Sequence, residues 1–184
     1  MRTMVFMSGT TMLVRLATSL VLLVLTCVES PTLWADSRVA KERSPAVGAA
    51  LAEAIEAYDS GDIRTALVKW RFAANAGNTD AMTALADINL RGEGISPNPT
   101  EAIRWYRRAA RSGDAIAQLN LGEILADGVY VPQDRTAAYR WLLLAARAGN
   151  QWAADKAAEV ASGLDAAVLH KIAAKVATWK PETP

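Results

Sequence analysis

AIRWYRRAARSGDAIA, residues 102–117, returns as AYRWLLLAARAGNQWA at residues 138–153. The shared skeleton is Ala102, Trp105, Tyr106, Ala109, Ala110, Gly113 and Ala117 in the first copy. In the second it is Ala138, Trp141, Leu142, Ala145, Ala146, Gly149 and Ala153, each 36 positions from its counterpart. An older copy keeps Ala66, Ala73, Ala74, Gly77 and Ala81 in the same register, with Trp70 one position off. A fixed period of this length marks stacked supersecondary units, none of which buries its apolar face alone.

The recurring residue types say what each unit is. Alanines at 66, 102 and 138, with the pairs 73/74, 109/110 and 145/146, let helices approach towards the near end of the usual range of about 8–10 Å. Gly122 does the same from the facing helix, where Ala86 stands one period earlier. Trp70, Trp105 and Trp141 are expected to fill the wedge between units. Gly77, Gly113 and Gly149 sit where a helix must end with positive φ, and Asn78, Asp114 and Asn150 follow as turn residues.

Outward from these copies, the remaining chain reads as more helix pairs. Leu51, Ile55 and Tyr58 recur at spacings that place them on one helical face. Ser60, Gly61 and Asp62 break that helix, and Ile63 to Ala73 make a second. Met82, Leu85 and Ile88 mark the next helix, capped by one of Asn78, Thr79 or Asp80 and ended by Gly92 to Gly94. Pro97 and Pro99 are expected to exclude helix until Thr100, the expected N-cap of Glu101 to Arg111. Leu121, Ile124 and Leu125 mark the following helix, which Gly128 and Pro132 break before a restart near Asp134 or Arg135. Trp152 to Ala161 and a last helix after Asp165 close the chain. The last helix carries the stripe Val168, Leu169, Ile172, Val176 and Trp179, expected to cover the open end of the stack. The fold expected is all-α, an α/α superhelix. Its hairpins span about 47–77, 79–113 and 115–149, with a cap at 151–179, a lead-in at 36–46 and a tail at 180–184.

The N-terminus has the order of a secretory signal peptide: Arg15, an apolar run from Leu16 to Val28, then Pro31 and the small residue Ala35. As a helix that run would rise about 20 Å, short of a hydrocarbon core of about 30 Å. Residues 1–35 are therefore expected to be cleaved after Ala35, giving a periplasmic or secreted protein. Two alternatives stand beside this: Val24 to Cys27 loosely matches a lipobox, so Cys27 lipidation is the second reading, and Met12 is a possible start.

Residues 115–150 resemble a Sel1-like repeat, a relative of the tetratricopeptide repeat, through Ala117, Gln118, Asn120, Leu121, Gly122, Gly128, Asp134, Ala138, Trp141, Ala145, Ala146 and Gly149. Residues 81–114 resemble a second copy, and residues 49–77 are nearer a tetratricopeptide hairpin. Two departures lie in the loops: Tyr130 stands where Gly94 stands in the earlier copy, and Asn98 replaces the aspartate at Asp134. The resemblance implies an adaptor or scaffold that binds a protein partner, in bacteria often exported and concerned with envelope assembly, signalling or host contact. By the same analogy the first helix of each hairpin lines the concave side. The polar residues expected there are Asp87, Arg91, Asn120, Glu123 and Asp127, in a groove on the order of 25 Å that admits roughly seven extended residues.

Composition limits the rivals. The 184 residues are 52% hydrophobic and 21% charged, with formal net charge +1. Beyond residue 35, 18 basic residues meet 18 acidic ones, so no cationic excess is left for nucleic acid. Cys27 is the only cysteine and His170 the only histidine, which argues against disulfides in the folded part, multi-histidine metal cages and cofactor sites. The acidic residues form no facing pair in the sequence pattern, so no catalytic residues are assigned and no enzymatic activity is expected. A Sel1-type hydrolase is the lesser alternative, disfavoured because its relatives carry a cysteine pair in each repeat. Arg104, Arg107, Arg108 and Arg111 form the densest positive patch and read as a solvated outer face. Membrane contact is expected only through the leader, if uncleaved or lipidated, as in a membrane-tethered assembly factor.

Overall fold

A computed structural model describes residues 44–182, and the leader, its cleavage point and residues 36–43 and 183–184 lie outside the described residues. Eight helices and no strands occur among the described residues. They are α1 (Pro45–Asp59), α2 (Ile63–Asn75), α3 (Thr79–Arg91), α4 (Pro99–Arg111), α5 (Ala115–Asp127), α6 (Arg135–Arg147), α7 (Gln151–Ala161) and α8 (Ala166–Ala177). Each helix from α1 to α6 packs on the next, and α8 lies back on α6.

The helix starts are set by short side chains that hold the first free amides. Asp62, Asn78, Asn98, Asp114, Asp134 and Asn150 each accept the N–H three residues on, satisfying groups that a helix leaves unpaired. The junctions between hairpins share one geometry. Gly77, Gly113 and Gly149 have φ of 105°, 98° and 97°, and the N–H after each reaches back to Ala73, Ala109 and Ala145 at 3.1, 3.1 and 3.2 Å. This closure needs a left-handed residue, which favours glycine. Within the hairpins, α3 and α5 end at left-handed Gly92 and Gly128. Their loops return when Asn98 and Asp134 donate N–H to Asn89 and Leu125 carbonyls at 2.7 and 2.9 Å.

Small residues make the core. Ala54, Ala66, Ala73, Ala102, Ala109, Ala117, Ala138 and Ala145 are wholly buried, and larger side chains fill the gaps they leave. At Gly122 the packed helices leave no room for a methyl group, since a Cβ there would lie 2.7 Å from Leu142 Cγ and 3.4 Å from the Ala138 carbonyl oxygen.

Several expectations are corrected. Helix α1 starts at Pro45, inside the expected lead-in, because Ser44 Oγ accepts the Val47 N–H and proline suits a first helical turn. Its buried face is Val47, Ala50, Ala54 and Ala57. Leu51 and Tyr58 only flank the core, and Ile55 is 54% exposed. Close approach to the alanine face of α2 favours the small residues. Helix α4 is capped by Asn98, not Thr100, again with proline at the start. Trp105 packs against the core but stays half-buried, its ring under the Arg108 guanidinium at 5.5 Å, while Trp141 is buried beneath Arg140 at 4.8 Å. The deeper aromatic position is Tyr106, which shares a register with Trp70 and Leu142. In the last helix only Ile172 and Val176 of the expected stripe are fully buried. The tail is also placed: Pro181 rests on Gly113, and Glu182 N–H donates to the Arg111 carbonyl at 2.8 Å.

Candidate functional site

Along the first helices runs a groove with a cavity of about 400 Å³. Helix α3 supplies Asp87, Leu90 and Arg91, and α5 supplies Asn120, Glu123, Ile124 and Asp127. Tyr106 reaches in from α4, and Val129 and Tyr130 close the end beyond α5. All five polar residues expected at a concave surface, Asp87, Arg91, Asn120, Glu123 and Asp127, therefore line one cavity.

Their positions follow from helix geometry. Asp87 and Arg91 are four residues apart, hence neighbours on one face, and 3.8 Å separates their charged atoms. The α3 side facing inward carries Leu85 and Ile88, which leaves these two on the groove side. Glu123 and Asp127 occupy the same two positions one period later in α5, with aspartate where α3 has arginine.

A polar network stiffens one wall. The Tyr106 hydroxyl donates to Asp87, and Arg91 also meets Glu93 at 3.1 Å. Glu93 in turn accepts the Tyr58 hydroxyl from the first hairpin. Burial and the Asp87 carboxylate raise the Tyr106 pKa well above its ordinary value, so the phenol stays a neutral donor. Helix α7 does not line the cavity but contacts two residues that do. Trp152 donates its indole N–H to Glu123 at 2.7 Å. Lys156 stands 4.0 Å from Asp127 and nearer to Glu159, at 3.0 Å.

Trp152, Lys156, Val129 and Tyr130 were not anticipated at this site. The signal available was the period itself, because Asp87, Glu123 and Glu159 occupy one repeat position in three successive first helices. Trp152 likewise shares a register with Ile116, and both are exposed where the core does not need an apolar residue. Trp105 and Trp141 lie under arginines on the second helices and do not line the groove. Among the described residues no cluster of histidine and carboxylate side chains has the grouping of a metal site. No helix among them is long and apolar enough to cross a membrane.

Comparison with known families settles what the repeated unit is. The Sel1 repeat matches twice, over residues 79–114 and 115–150. These two units are Sel1 repeats. Solved structures agree on the fold. A Sel1 repeat protein from Oxalobacter formigenes superposes with a TM-score of 0.57 at 26% identity, over 70% of this chain and 98% of that one. A protective antigen present in uropathogenic Escherichia coli strains, displaying an SLR fold, superposes with a TM-score of 0.63 at 24% identity. It is matched over 70% of this chain, which spans 28% of the antigen's length. No match was found among curated proteins. The Sel1 solenoid is a protein-interaction scaffold, and the groove lies between the first helices of the two matched Sel1 repeats.

Proposed function

We propose that this protein is an exported, non-catalytic adaptor that holds a protein partner in the groove between α3 and α5. The observation that carries the reading is that Asp87, Arg91, Asn120, Glu123 and Asp127 converge on one open cavity instead of scattering around the stack. None of these side chains is needed to fill the core, and a mixed polar and apolar cleft of this size suits a peptide segment or helix edge. The signal-peptide order of residues 1–35 supports a periplasmic or secreted location, with envelope signalling or assembly as the setting.

A photo-crosslinking residue at Asn120 tests this in the intact cell envelope. One envelope protein should be captured reproducibly, and Glu123→Lys with Asp127→Lys should abolish the capture while helicity and melting stay near wild type. Capture only from the opposite face, through position 104, would refute the groove as the binding surface. Mass measurement of the mature N-terminus bears on export: a start at Asp36 fits release. A lipid-modified Cys27 would instead indicate a tethered assembly factor.

A further inference from the structure

Charge in this solenoid is sorted by helix. The first helices, α1, α3, α5 and α7, hold nine carboxylates and two cations, whereas α2, α4, α6 and α8 hold twelve cations and one carboxylate. A chain that is neutral beyond its leader thus carries a charge separation between its two layers of helices. The acidic layer is the one that builds the groove.

Inside the groove the carboxylates are incompletely matched. Arg91 is divided between Asp87 and Glu93. Glu123 is met by the neutral indole of Trp152. Lys156 is nearer to Glu159 than to Asp127, and Asp127 keeps more than half its side-chain surface in water. Apolar surface lies alongside: Val129 and Tyr130 are exposed at the groove's end, and Trp152 is 64% exposed on the next repeat.

We propose that the occupant of this groove is an extended, cationic segment of the partner protein whose basic side chains recur about every third residue. This rests on the adaptor reading above and specifies its ligand. The spacing follows from two lengths. Packed neighbouring helices lie about 8–10 Å apart, and α5 and α7 are in side-chain contact through Glu123 and Trp152. Three residues of a polyproline II segment advance about 9 Å and return to the same face, so basic side chains three apart face Asp87 on α3 and Glu123 on α5, with Glu159 at the same register on α7. Residues between the basic ones lie over Val129, Tyr130 and Trp152. The charge separation steers such a segment to the acidic layer and repels it from the basic one. An acidic segment meets the reverse field and unpaired carboxylates.

A dye-labelled peptide of about twelve residues repeating Lys-Thr-Val, long enough to span the groove, tests this by fluorescence anisotropy with the purified protein. Saturable binding that weakens with added salt is expected. Glutamate in place of lysine should eliminate it, and grouping the lysines at one end should weaken it. Glu123→Gln with Asp127→Asn should reduce affinity roughly tenfold at unchanged helical circular dichroism. Arg104→Glu with Arg107→Glu, on the opposite layer, should leave binding in place. Equal binding of the lysine and glutamate peptides would overturn the proposal. So would indifference to the groove substitutions, or salt-sensitive self-association that excludes the peptide. If the Asn120 crosslink still captures an envelope protein while the lysine peptide fails, the adaptor reading stands and the cationic occupant does not. If both fail, both are refuted.

Discussion

Gly122 shows how one missing methyl sets the distance between two helices. A Cβ at this position would press on Leu142 at 2.7 and 2.9 Å, so Gly122→Ala is expected to cost about 1–3 kcal/mol in denaturant unfolding. Gly122→Ala combined with Leu142→Ala should cost less than the sum of the two single substitutions, since the added methyl occupies part of the cavity that the leucine leaves. One period earlier the same two register positions hold Ala86 and Tyr106. A titration prediction belongs to the same scale. Glu93 is held below its ordinary value of 4.5, first by the Tyr58 hydroxyl and then by Arg91. A carboxyl lowered on folding adds stability above its ordinary value and loses it as pH falls through the folded one. The Glu93 carboxyl should therefore titrate below 4.5 by NMR, and Tyr58→Phe should move its midpoint upward. The contact that weakens in acid is the one joining α1 to the loop after α3.

Helix ends follow local chemistry. Asn98→Ala and Asp134→Ala should each cost about 1 kcal/mol, measured by thermal unfolding, whereas Asn98→Asp should hold or gain stability because a carboxylate favours a helix N-terminus. Tyr106 separates packing from polarity. Tyr106→Phe should lose about 1 kcal/mol with the Asp87 hydrogen bond, and Tyr106→Ala about 3–5 kcal/mol with the buried ring. The same distinction explains what the sequence disclosed. Glycine followed by Asn or Asp states a junction within a few residues, so the turns after Gly77, Gly113 and Gly149 were readable without a structure. The start of α4 was misread because Pro99 looked like a breaker, although proline is well suited to a first turn. The inward face of α1 was hidden because alanine weighs little in a hydropathy pattern, and close packing needs what hydropathy undervalues. The five groove residues were legible from the repeat analogy. Trp152 and Lys156 were not, because they contact Glu123 and Asp127 from the next repeat, a relation that spacing along one helix cannot express.

At the level of the whole molecule, stability is the sum of neighbouring contacts along the stack. The C-terminal strap adds a longer connection, carrying Pro181 and Glu182 back to Gly113 and Arg111. Removing the residues after Thr178 should lower unfolding stability by about 1–3 kcal/mol through the lost Trp179 and Pro181 contacts. Hydrogen exchange should then quicken in α8 and around Gly113 before it does in α3. The matching junctions have one more consequence, for how such a chain changes length over generations. Recombination that dropped residues 115–150 would bring Asp114 against Gln151, and aspartate would take over the cap now formed by Asn150. The seam would keep the capping chemistry of the junctions already present, so a whole storey can be added or removed there without inventing a new kind of joint.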